Sequence, residues 1–303
     1  MPKTMSGSLI GKLKEGRFLT TAELEVNSST SIDGLQNRAK NLQNSVDAVI
    51  VSRDPKASLY INPLIPCYLI KEKLNLTCVY EVDSRDRNRL GLFSDILTAG
   101  QLGLNNILVS TGTHTTTGVY DKAKPVFDLD AVHLITMIRR MNDGKAFTGE
   151  PITKPTGFDV GAVLGFDHSQ PEMEDVIIQK KKNAGASYFL TLPAYDLESA
   201  QMIADRAIKA ETPLIVTIYP IDSIDTANWI SRLYPSSKPP GDFIKKIQEI
   251  EQSSLTIQEK ARRINEANAS LVDLLVKELR TVKGVSGCNI VSTKLDTLRA
   301  PSK

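Results

Sequence analysis

At 303 residues the chain exceeds the usual single-domain size, although an α/β barrel of this length is commonly one unit. Hydrophobic residues make up 41% and charged residues 24%. Cations exceed anions by only two (37 − 35 = +2), which argues against a nucleic-acid face. The basic Lys180–Lys182 run is flanked by apolar residues and reads as a solvated helix face. No run of about 18 apolar residues exists. The start of the chain lacks a continuous apolar stretch, so no membrane partner is expected and the location is read as cytoplasmic. Cys67, Cys78 and Cys288 are widely separated and match no zinc spacing, which suggests buried thiols in a reducing compartment.

In chain order, strands are predicted at 18–24 (FLTTAEL), 47–52 (DAVIVS), 77–82 (TCVYEV) and 106–111 (NILVST). Four more follow at 159–164 (DVGAVL), 188–192 (YFLTL), 214–218 (LIVTI) and 288–292 (CNIVS). Most are apolar on both faces, as parallel strands covered by helices must be. Helical periodicity lies between them near 32–44, 63–73, 88–102, 129–142, 171–184, 196–209 and 223–233. His133 falls on the fourth of these and reads as structural. The Pro/Gly-rich PSSKPPGDFIKKIQE, beginning at Pro235, reads as an insertion before the last helix. That helix spans about 256–280 and carries Ile257, Ala261, Ile264, Leu271, Leu274 and Leu275 on one face. The pattern predicts a single (β/α)₈ TIM-barrel domain over residues 1–303, with extra helices before the last strand. A doubly wound sheet is the alternative, but it would usually offer a glycine-rich first turn, and here the first strand leads into ELEVNSSTS.

In such a barrel, chemistry gathers where the strands end. Those ends carry Glu23 and Glu25; Ser52, Arg53 and Asp54; Glu81, Asp83, Arg85 and Asp86; then Thr111, Thr113 and His114. Asp167 and His168, Thr191 and Pro193, and Tyr219 complete the ring. It is rich in hydroxyls and mixed in charge. Glu81, Asp83 and His168 are conceivable metal ligands, but no repeated ligand set is present, and no metal is expected. Glu23 reads either as a carboxyl whose pKa is raised by desolvation, a useful general acid, or as half of a salt bridge. Arg85–Arg89 (RDRNR) reads either as a phosphate clamp or as a polar helix start, and Arg53 and Lys181 pose the same choice.

Taken together, TTAELE, DAVIVSRDP, SRDRNRLGLFSDILTAGQLGLNNIL, AKPVFDLDAVHLI, DVGAVLGF, KKKNAGASYFLT, TPLIVTIYPIDS and KGVSGCNIV resemble the methylenetetrahydrofolate reductase family. The likeness is greatest to the bacterial branch with an RDRN motif, and it runs over almost the whole chain. The resemblance implies a barrel that uses FAD to reduce 5,10-methylenetetrahydrofolate to 5-methyltetrahydrofolate in one-carbon metabolism. It implies electrons from NAD(P)H or from a partner subunit, and self-association or assembly with other chains. By the same resemblance Glu23 matches the family's active-site glutamate, and Lys181 the lysine before its AGA element, near the FAD pyrophosphate. Ser52, Arg87, Asn88, Thr111, Gly112, Thr113, His114, Phe127 and Asp130 fall where relatives line the flavin; His168 does so after a one-residue gap.

The departures bear on the substrate. Thr113 stands where relatives carry an aspartate that meets flavin and pterin, and Leu192 where a glutamine contacts substrate. Glu23, Thr113, Leu192 and Tyr219 form the expected substrate side. Losing a carboxylate there removes charge-assisted bonds worth about 1.5–3 kcal/mol each, so weaker or altered pterin binding and a less negative flavin potential are expected. Two alternatives follow: a diverged enzyme acting on another pterin or one-carbon carrier, and a non-catalytic subunit of a complex.

Overall fold

Each β-rich run forms a strand, and the eight strands pair in parallel in sequence order until β8 closes onto β1. The computed structural model describes residues 7–56, 58–118, 120, 122–165 and 171–291. The strands are β1 Leu19–Val26, β2 Ala48–Arg53, β3 Cys78–Asp83, β4 Asn106–Ser110, β5 Asp159–Leu164, β6 Tyr188–Pro193, β7 Leu214–Ile218 and β8 Val285–Val291. Around them run α2 Ile32–Leu42, α3 Leu64–Leu74, α4 Arg89–Gln101, α5 Ala131–Asn142, α6 Pro171–Ala184, α7 Leu197–Lys209 and α8 Ile224–Leu233. The insertion supplies α9 Gly241–Gln252, and α10 Ile257–Leu279 precedes the last strand. This is the expected (β/α)₈ barrel with its extra helices before β8.

The strand limits differ from the sequence expectation in ways that move site residues. β1 runs on to Val26 because β2 keeps offering partners, Glu25 to Ser52 and Val26 to Arg53, so Glu25 lies within a strand. β4 stops at Ser110, which leaves Thr111 in the loop. β8 starts three residues early, at Val285, where the small residues of VSG hide the strand signal. A Cβ on Gly287 would lie 2.6 Å from the Leu19 carbonyl oxygen, so the close approach of β8 to β1 needs a glycine there.

The barrel interior is filled from below by an element the periodicity did not reveal. A short helix, α1 Leu9–Lys14, buries Leu9 and Leu13 among Leu19, Ala48, Ile50, Val79 and Tyr188. Asn106 fastens it, accepting the Leu9 N–H at 2.8 Å and donating Nδ2 to the Gly7 carbonyl at 2.8 Å. Beside it the Tyr188 ring lies over Gly161, its register partner on the adjacent strand β5, where a Cβ would come within 2.2 Å of the ring.

Helix α10 corrects the expected apolar face. Ile257 is 87% and Leu274 52% exposed, while the buried stripe runs through Ile264, Ala267, Asn268, Leu271, Val272, Leu275, Val276 and Leu279. Ile264, Leu271 and Leu275 of the expected face belong to this stripe; Ile257, Ala261 and Leu274 do not, and Asn268 is part of it. Its side chain accepts the Ile221 N–H and donates to the Ile221 carbonyl, both at 2.8 Å, so a buried amide pins the β7–α8 loop. His133, expected to be structural, is exposed on α5 and bonds Asp130, the N-cap of its own helix.

Candidate functional site

All eight strands contribute to a cavity of about 290 Å³ at the C-terminal mouth. Its apolar wall is Leu108, Val163, Leu190, Leu192 and Val291, and its polar wall is Glu23, Glu25, Glu81, Asp83 and Ser110. Strand alternation explains the division. Along β1, Thr21, Glu23 and Glu25 point inward, and along β3, Val79, Glu81 and Asp83 do so, each step closer to the mouth.

Glu23 is held by neutral groups. Asn289 of β8 donates Nδ2 to Glu23 Oε2 at 2.7 Å, and Thr21 donates its hydroxyl to Asn289 Oδ1 at 2.9 Å, which turns the amide's donor end towards the carboxyl. Burial pushes the Glu23 carboxyl above its ordinary range, with the Ser52 hydroxyl and the Asn289 amide pulling it part of the way back. Across the floor, Glu81 accepts a hydrogen bond from Ser110 Oγ at 3.0 Å. Burial raises its carboxyl to about 8, Glu23 and Asp83 adding repulsion against the pull of Arg53 and Ser110. Glu25 accepts the Tyr219 hydroxyl at 3.3 Å, and Tyr219 in turn takes the Tyr195 hydroxyl on its carbonyl at 2.6 Å.

The arginines resolve differently from a phosphate clamp. Arg53 is buried, pairs with Asp83, meets Asp86 at 2.7 Å and lies over the Tyr60 ring. In RDRNR, Arg85 grips Asp86 with two bonds of 2.6 and 2.7 Å, Arg87 meets Asp95 at 2.9 Å and Arg89 meets Asp128 at 2.7 Å. Asn88 is the N-cap of α4, accepting the Gly91 N–H at 3.0 Å. The segment is thus a helix start tied down by carboxylates, and neither Arg87 nor Asn88 lines the main cavity.

The loop after β4 enters that cavity through Thr111, Gly112 and Thr113. Gly112 has φ +84°, and a Cβ there would fall 2.7 Å from Arg53 and 2.8 Å from Asp83, so its glycine is required by that buried ion pair. Thr113 donates its hydroxyl to the Pro55 carbonyl at 3.1 Å. His114 sits further out, capping a 3₁₀ turn at Thr115–Thr117 and stacking on Phe127 with ring centroids 6.0 Å apart. Phe127 takes φ +42° while its N–H and that of Val126 bond the carbonyls of Ser84 and Arg85. Asp130 caps α5. Ser52 is buried beside Glu23, and His168 lies outside the described residues.

On the opposite side stands Lys181, donating Nζ to the Val163 carbonyl at 2.6 Å. Burial lowers its amine to about 8, and Asp130 opposes that. With Gly165, Leu192 and Tyr234 it separates the cavity from a neighbouring hollow of about 290 Å³ that reaches Ile177, Leu233 and Ser237. Sequence reasoning missed Asn289 and Tyr234. A single amide in the apolar CNIVS strand was a usable signal for the first; Tyr234 follows α8 with nothing to mark it. Among the described residues, no group of three or more His, Cys, Asp or Glu side chains is arranged to hold a metal ion, and no helix is long and apolar enough to cross a membrane.

Residues 13–292 match the family model described as methylenetetrahydrofolate reductase. The chain belongs to the methylenetetrahydrofolate reductase family. No curated protein matches this family member in sequence. Among solved structures, an uncharacterized protein from Clostridium thermocellum that binds two copies of 5-methyl-5,6,7,8-tetrahydrofolic acid aligns with a TM-score of 0.60 at 15% identity, over 93% of this chain and 92% of that one. DmoA from Hyphomicrobium sulfonivorans aligns with a TM-score of 0.52 at 9% identity, over 91% of this chain and 83% of that one. At such identities both likenesses establish the barrel fold shared with this reductase-family chain.

Proposed function

We propose that the chain is an FAD-dependent reductase of 5,10-methylenetetrahydrofolate that forms 5-methyltetrahydrofolate in one-carbon metabolism, with Glu23 as its general acid. The observation that carries this reading is a carboxyl facing the cavity from the inner barrel wall, biased towards its protonated form by burial and oriented by Asn289. Opening the imidazolidine ring requires a proton on the nitrogen that leaves the bridging carbon, and a carboxyl whose pKa burial raises is suited to supply it. Folate as the ligand is supported by family membership and by the 5-methyltetrahydrofolic acid bound to the Clostridium thermocellum protein of the same fold.

The residues present fit a flavin. Lys181 is a buried amine bonded to a neutral carbonyl at the wall between two hollows, and an anionic pyrophosphate would match its charge. The apolar wall suits a flat ring, and Thr111, Gly112 and Thr113 offer hydroxyls and backbone groups at its edge. When bound, FAD supplies the hydride for the one-carbon unit, replenished from NAD(P)H or an electron-delivering partner subunit. Arg87, Asn88, His114, Phe127 and Asp130 hold the surrounding rim in place through the caps, pairs and stacking described above. Glu23, Thr113, Leu192 and Tyr219 face the substrate.

A second reading, action on another pterin or one-carbon carrier, is favoured by one observation. The Thr113 hydroxyl is bonded to Pro55, and Leu192 gives the cavity an apolar side chain. The deciding experiment is anaerobic: protein loaded with FAD should be yellow and should bleach on addition of 5-methyltetrahydrofolate. A colourless protein that takes up no FAD would overturn the proposal; a yellow protein that folate leaves unbleached would favour the second reading.

A further inference from the structure

Glu81 has no part in the function proposed above, yet it opens on the same cavity as Glu23. The neighbouring carboxylates are already engaged: Asp83 with Arg53, Glu25 with the Tyr219 hydroxyl, Glu23 with the Asn289 amide. Glu81 receives the Ser110 hydroxyl on Oε1. A carboxylate has about four lone-pair positions, so one such bond leaves room for further donors. A reduced pterin brings a pair of donors, its 2-amino group and the adjacent ring N–H. In this chain Thr113 cannot meet them as a carboxylate, and its hydroxyl proton goes to Pro55.

We propose that Glu81 is the carboxylate that reads this N–H edge, and that it releases its proton to solvent when the heterocycle binds. The inference rests on the reading that a reduced pterin is the ligand. Glu81 faces Glu23 on β1, Arg53 on β2 and Asp83 on its own strand, with Lys181 on the far wall. Burial and the two carboxylates keep its carboxyl up at about 8, so near neutral pH it is mostly protonated without ligand. Two N–H donors stabilise the ionised form, which can accept both, more than the protonated one, so binding pulls the pKa down and the proton passes to the buffer. No other bond is made or broken.

The test is calorimetric titration of the full chain with 5-methyltetrahydrofolate near pH 7, in two buffers of different ionisation enthalpy. Wild-type protein should release about one proton per ligand bound, with affinity rising as pH increases towards 8. Glu81→Gln should abolish the release and weaken binding about tenfold or more. Glu23→Gln should still release a proton on binding, in smaller amount because the Glu23 charge no longer opposes ionisation of Glu81, which separates the two carboxyls. Failure of the wild type to bind the probe overturns both this inference and the folate reading. Binding without proton release, or release unchanged in Glu81→Gln, overturns the role of Glu81 alone and leaves the folate reading standing. Should Glu81→Gln not fold, the wild-type proton count and the Glu23→Gln count decide the matter.

Discussion

The two ends of the barrel interior are built by the same eight strands and have opposite character. At the N-terminal end, Leu9 and Leu13 of α1 close an apolar plug with Leu19, Ile50 and Val79. One to three inward steps further along β1 and β3, the same alternation places Glu23, Glu25, Glu81 and Asp83. The contrast shows that desolvation is imposed from below. Burial above this apolar floor raises the carboxyls of Glu23 and Glu81, with Glu23 and Asp83 adding repulsion at Glu81, and the mouth is the side from which a ligand can reach them. Stability and chemistry are therefore separable by position along one strand.

The sharpest way to break that separation is Glu23→Gln, which should lower folate reduction about 10²–10⁴-fold with little change in melting temperature. Steady-state turnover and thermal unfolding measured on one preparation check it, and unchanged turnover would remove Glu23 from the chemistry. At the other end, Leu9→Ala should cost about 2–5 kcal/mol of stability and spare turnover at temperatures where the protein remains folded. Denaturant unfolding reads this, and a large loss of turnover at full folding would contradict the division. Asn289→Ala, between the two ends, should lower kcat about tenfold and shift the alkaline limb of the pH–rate profile upward, since the carboxylate loses a donor that favours its ionised form.

The smallest effect sharpens the account of Glu81. Its folded carboxyl titrates at about 8, above the ordinary 4.5, so the folded state holds a proton that the unfolded chain has given up. The associated stability is present in full below pH 4.5 and is lost as pH rises through about 8. Glu81→Gln should thus gain melting temperature relative to wild type as pH rises over that window, by roughly 2–4 °C for each kcal/mol recovered. Parallel pH dependence in the two proteins would show that Glu81 is solvated as an ordinary carboxylate.

Much of this was legible before the structure. The eight β-branched runs could bury both faces only in a parallel, helix-covered sheet, and Glu23 sat at the inward phase of the first of them. Other features were not legible for identifiable reasons. Six-residue α1 is too short for helical periodicity to register. The buried stripe of α10 includes Asn268, which a count of apolar residues rejects. RDRNR offered a phosphate clamp or a helix start, and the choice depended on Asp95 and Asp128, which lie elsewhere in sequence.

The sequence by itself determined the order of strands and helices, the family and the phase that turns Glu23 inward, because these follow from local periodicity and contiguous motifs. Only the tertiary structure decided that Gly112 yields to the Arg53–Asp83 pair, that Asn289 rather than a cation holds out its amide to Glu23, and that Glu81 shares the cavity. Those relations join residues from separate strands, and they exist once the barrel closes and brings β8 against β1.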